Sequence, residues 1–168
     1  IELEEITCQN ELSENRIQKI LFTSTLPGEG KTTIALSVGK LIAKEKKVLY
    51  VGHDSEFLKR PENDDSTVWR TDIDNLFVSL PEYICVQDLD VLCSNYDYVL
   101  IDTKAVQESS ESIRIADVCD LTVLIVEANR TSYRLLQNSI RLLEITHCRN
   151  IRIVLNRIRD FYGVLKKR

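Results

Sequence analysis

The run Ser24-Thr25-Leu26-Pro27-Gly28-Glu29-Gly30-Lys31-Thr32-Thr33 constrains this chain more than any other. It follows a short apolar segment, Lys19-Ile20-Leu21-Phe22-Thr23, that reads as a buried strand. It precedes a segment in which Ile34, Ala35, Val38, Leu41 and Ile42 recur at helical spacing. A glycine-rich turn between strand and helix, ending in Lys-Thr, is the context in which such a turn cradles phosphate. Gly28 and Gly30 let the backbone aim several N–H groups at one anion. The helix N-terminus adds partial positive charge. Lys31 then reaches the β- and γ-phosphates, and the Thr32 hydroxyl is a magnesium ligand. Thr25 stands where the usual pattern has its first glycine.

Composition narrows the class. With 168 residues, 43% apolar and 29% charged, the chain is read as one domain, 1–168, with an N-terminal segment 1–16 and a tail 158–168. A net charge of -4 gives no electrostatic footprint for nucleic acid. The basic cluster Arg157, Arg159, Lys166, Lys167 and Arg168 reads as a solvated end. Cys8, Cys85, Cys93, Cys119 and Cys148 form no C-x-x-C pair, and His53 and His147 are isolated. They predict reduced core cysteines and neither a disulfide framework nor a zinc site. No apolar run approaches the roughly 18 residues of a membrane span. A cytoplasmic domain is expected, held at the inner face of a membrane through a partner or a further segment. The chain opens at Ile1 and holds no methionine, so it is read as a trimmed piece or as one from which residues have been dropped.

Strand and helix patterns alternate along the chain. Lys47-Val48-Leu49-Tyr50-Val51 reads as a second strand, and residues 53–95 as irregular and charged apart from a short strand at Ile84-Cys85-Val86. Tyr98-Val99-Leu100-Ile101 is a strand ending at Asp102, residues 110–118 a short helix, and Leu121 to Val126 a central strand. Thr131 is expected to cap a helix reaching Thr146, with Leu136, Ile140 and Leu143 inward. Ile151 to Leu155 is the last strand. This alternation implies a doubly wound, mainly parallel α/β sheet with helices on both faces, a P-loop NTPase-like fold. Ligands of such sheets bind at the carboxyl ends of the strands.

Three further positions carry chemistry. Asp102, ending its strand opposite the loop, is suited to hold Mg²⁺ directly or through water. Asp54, in Val51-Gly52-His53-Asp54, is suited to orient or deprotonate a nucleophile or to bind magnesium; a solvent-facing turn aspartate is the plain alternative. Asn156, after the last strand, offers an amide that pairs with both donor and acceptor on a purine edge.

With these motifs placed, the chain resembles the cytosolic domain of bacterial tyrosine kinases, within the deviant P-loop ATPases that include partitioning and division-site ATPases. The resemblance runs from about Ile17 to Arg157. It is carried by Thr23 to Thr33, Lys47 to Asp54, Tyr96 to Thr103 and Val154-Leu155-Asn156-Arg157. It implies that Pro27, Gly28, Glu29, Gly30, Lys31, Thr32, Thr33, Asn156 and Arg157 bind ATP or ADP. It implies catalytic roles for Lys31, Asp54 and Asp102, and Mg²⁺ at Thr32, Asp102 and Asp54. It also implies a part in polysaccharide polymerisation and export beside a membrane-spanning chain-length regulator, fused or separate.

The departures from that pattern are specific. Gly52 replaces the first aspartate of the additional acidic motif, Lys104-Ala105 replaces Pro-Pro, and no arginine-bearing N-terminal assembly motif or tyrosine-rich tail is present beyond Tyr162. Nucleotide binding is expected to survive these losses better than catalysis or self-assembly, which is expected to be weak. Two other readings stand beside the kinase one: a partitioning or division-site ATPase, and a non-enzymatic nucleotide-sensing regulator of a membrane partner.

Overall fold

The computed structural model describes residues 18–52, 66–81, 86–146, 148 and 150–158. Asp54, His53, Tyr162, the N-terminal segment 1–16 and nearly all of the tail lie outside them.

Seven strands and four helices are described. The strands are β1 (Lys19–Ser24), β2 (Val48–Val51), β3 (Trp69–Arg70), β4 (Leu76–Ser79), β5 (Tyr98–Asp102), β6 (Leu121–Glu127) and β7 (Ile151–Asn156). The helices are α1 (Lys31–Ile42), α2 (Val86–Cys93), α3 (Ser110–Ala116) and α4 (Tyr133–Ile145). They make one sheet in the order β3-β4-β2-β5-β1-β6-β7. All its pairs are parallel except the short β3–β4 pair. The central strands are apolar on both faces, as sheets covered twice require. Ile20, Phe22, Tyr50, Leu100 and Val123 pack with Ala35 and Leu36 of α1. Leu21, Leu49, Val99, Ile101 and Leu124 pack with Leu89, Ile115 and Leu143 from α2, α3 and α4.

The doubly wound fold expected from the alternation is the one observed, and some local expectations change. Residues 53–95 are not simply irregular: β3, β4 and the helix α2 lie within them, and Val86 opens that helix rather than closing a strand. The two-residue β3 and four-residue β4 are too short to register as periodic runs. On α1 the buried positions are Ala35, Leu36 and Gly39, while Leu41 is exposed. Thr131 does not cap α4. Ser132 does, its Oγ accepting from the Leu135 amide at 3.3 Å.

Parallel pairing brings the carboxyl ends of β1, β2, β5, β6 and β7 to one edge. Ser24, Gly52, Asp102, Glu127 and Asn156 all fall at that edge. No helix among the described residues is long and apolar enough to cross a membrane.

Candidate nucleotide-binding site

The loop between β1 and α1 is bent by its glycines, with φ of 78° at Gly28 and 95° at Gly30. At Gly30 a side chain is also excluded by space, since a Cβ there would run into the Asn156 amide. The first helical hydrogen bond of α1 runs from the Ile34 amide to the Gly30 carbonyl at 3.1 Å. The amides just before Ile34 therefore have no acceptor within the helix. Gly30 supplies no capping side chain and the first turn holds no acid. The positive end of α1 thus faces the loop with no acid in its own first turn. Lys31 makes no ion pair or side-chain hydrogen bond among the described residues.

On the β2–β5 side sits Asp102, 6% exposed. Its Oδ2 accepts from the Thr32 hydroxyl at 2.5 Å and from the Tyr50 hydroxyl at 2.7 Å. Tyr50 is fully buried. Burial first, and then the charge of Asp102 beside it, push its phenol far above the ordinary tyrosine range, so it stays a donor. The same ring covers Gly52, where an added Cβ would come within 2.8 Å of it.

On the β6–β7 side the loop is clamped by Glu29, which is 0% exposed. Its carboxylate accepts from the Leu26 amide at 2.7 Å, from the Glu127 amide at 3.0 Å and from the Thr131 hydroxyl. The Asn156 side chain donates to the Glu29 carbonyl at 2.8 Å, and its Oδ1 accepts from the Arg157 amide at 2.8 Å. Glu127, at the end of β6, pairs with Arg130 at 3.1 Å and Arg157 at 2.9 Å. The hydrogen bond from Arg130, ahead of that from Arg157, holds the Glu127 carboxyl below the usual glutamate range.

The structure thus brings Pro27 to Thr33, Asp102, Asn156 and Arg157 to one edge, and Asp54 lies outside the described residues. Both ends of the Asn156 amide are engaged by the chain itself, and the Glu29 side chain turns into the protein. Tyr50, Glu127 and Thr131 escape the sequence reading because each is an ordinary strand or turn residue that only the pairing of distant strands brings to the loop. Among the described residues no group of three or more His, Cys, Asp or Glu could hold a metal alone.

A P-loop-bearing parallel sheet of this order defines the P-loop NTPase-like class, and comparisons agree. The chain superposes on the MinD cell division protein of Aquifex aeolicus with a TM-score of 0.68 and 25% identity, over 89% of this chain and 72% of that one. Within the class, the resemblance to bacterial tyrosine-kinase domains holds. The chain is 25% identical to the tyrosine-protein kinase CpsD of Streptococcus pneumoniae, over 94% of this chain and 85% of that protein. The kinase domain of the Escherichia coli tyrosine kinase ETK shares the fold, with a TM-score of 0.74 at 16% identity, over 94% of this chain and 76% of that chain. No family model matches the chain.

Proposed function

We propose that the chain binds a magnesium-chelated adenine nucleotide at the loop and acts as a tyrosine-kinase-like domain in polysaccharide production, with slow turnover. The carrying observation is the Thr32–Asp102 hydrogen bond beside the end of α1, whose first turn holds no acid, and beside Lys31, which makes no ion pair among the described residues. Thr32 and Asp102 supply hydroxyl and carboxylate oxygens, the donor set that suits a hard divalent cation. With so few protein ligands, the remaining coordination falls to phosphate oxygens and water. The cation would neutralise charge on the transferring phosphoryl group.

The protein's own residues have separate tasks. Lys31 pairs with phosphate oxygens, and the amides of Gly28 to Thr33 hold them. Asp102 accepts the Thr32 hydroxyl hydrogen bond, which would leave the Thr32 oxygen's lone pairs for a cation. Asp54 orients the nucleophile or adds a metal ligand. Asn156 and Arg157 border the base side. A membrane-spanning chain-length regulator is the partner by likeness to the capsular kinases, and self-assembly of the chain is weak. The regulator reading, nucleotide binding without turnover, is favoured by one observation: the Tyr50 ring fills the place where a side chain at position 52 would stand.

Incubating the purified chain with Mg-ATP, with and without a tyrosine-bearing peptide, tests these readings. ADP release below the roughly 1–100 per second usual for kinases, with phosphate appearing on tyrosine, is expected. ADP without phosphotyrosine would make the chain an ATPase, and neither product from bound nucleotide would make it a regulator.

A further inference from the structure

We infer that Tyr50 is a positioning residue of this site, its hydroxyl delivered by β2 into the place of a residue 52 side chain to fix Asp102 against Thr32. The inference rests on the magnesium–nucleotide reading above and deepens it.

Tyr50 pairs in register with Leu100, two residues before Asp102, so its side chain runs along the sheet toward the strand ends. Its ring passes over Gly52, and its hydroxyl lies 2.9 Å from where a Gly52 Cβ would be. The φ of Gly52 is not among the positive ones, so it is space, and not backbone conformation, that calls for glycine there. At the far end the hydroxyl shares Asp102 Oδ2 with Thr32. Two donors on one oxygen set the carboxylate's orientation from β2 and from the phosphate loop at once. The residue pair Tyr50–Gly52 is therefore one unit: glycine makes the room and tyrosine uses it.

Calorimetric titration with Mg-ADP, and with ADP in EDTA, tests this on the wild type and on Tyr50→Phe, which keeps the ring and loses the hydroxyl. The ratio of the two affinities is expected to fall at least about 10-fold in Tyr50→Phe, as loss of one hydrogen bond to a charged group predicts. An unchanged ratio would overturn the inference, including the case where both affinities fall equally, which marks a merely structural role. A wild type that binds no nucleotide in either buffer would instead remove the nucleotide reading and this inference with it. Thermal unfolding adds a second arm. Gly52→Asp is expected to lower Tm by less in a Tyr50→Val background than in the wild type, because the ring it collides with is gone. Equal losses in both backgrounds would contradict the coupling.

Discussion

The two flanks of the phosphate loop hold one buried carboxylate each, and they use it differently. On the β6–β7 flank every contact of the Glu29 carboxylate is with the protein: two backbone amides and a threonine hydroxyl. On the β2–β5 flank Asp102 is held by two hydroxyls, one of them from Thr32, the residue expected to meet the metal. A carboxylate that satisfies backbone amides builds the loop. A carboxylate hydrogen-bonded to the one hydroxyl expected to meet the metal is placed to work on a ligand. The same functional group, on either flank of one loop, is thus read as scaffold on one side and as chemistry on the other.

If this division is right, the largest stability effect belongs to the scaffold flank. Glu29→Ala strands buried amides and a hydroxyl, and should destabilise the fold by on the order of 3–5 kcal/mol in chemical denaturation. A loss under about 1 kcal/mol would show that the clamp is not needed. Lys31→Ala should do the opposite: stability within about 0.5 kcal/mol of wild type, but nucleotide affinity weaker by about 2–3 kcal/mol. Equal affinity in both proteins would remove Lys31 from the site. Gly30→Ala should cost about 1–2 kcal/mol for its left-handed backbone alone, with more from the displaced Asn156, which denaturation can read. Thr25 sharpens the contrast on a smaller scale. Its hydroxyl is buried with no hydrogen-bond partner among the described residues, so Thr25→Val should be neutral or stabilising by up to about 1 kcal/mol. A destabilised Thr25→Val would mean the hydroxyl has work to do.

The smallest effect is one of pH. The Glu127 carboxyl is held below its ordinary range by Arg130 and then Arg157. Its contribution is therefore complete above the usual glutamate range and is lost as pH falls through the lowered folded value. Tm profiles of wild type and Arg130→Ala should converge at acidic pH and separate slightly near neutrality. Profiles that stay parallel would mean the pair is idle.

How far the sequence could be read follows from the same contrast. The loop, its flanking strand and helix, and Asp102 were legible because each motif is contiguous and its residue types follow from phosphate chemistry. The alternation that implied a doubly wound sheet was legible because Leu121 to Val126 and Tyr98 to Ile101 are almost uniformly apolar. β3 and β4 were not, being too short to show a period, and α2 begins where the apolar Val86 suggested a strand. Thr131 looked like a helix cap because it precedes an amphipathic stretch, yet its hydroxyl goes to Glu29, 102 residues away. Tyr50 was expected only as a strand residue and is core, but Gly52 leaves room for its hydroxyl to reach the site. Contacts of that kind depend on strand register, which no local pattern records.

The most direct test of the account compares Asp102→Asn with wild type by calorimetric titration of ADP in magnesium and in EDTA. Removing one charge while keeping the shape should weaken binding in magnesium far more than in EDTA, because Asp102 acts on the cation and not on the nucleotide itself. An equal loss in both buffers, or a wild type that binds no nucleotide, would contradict the assignment of the β2–β5 flank as the chemical side of the loop.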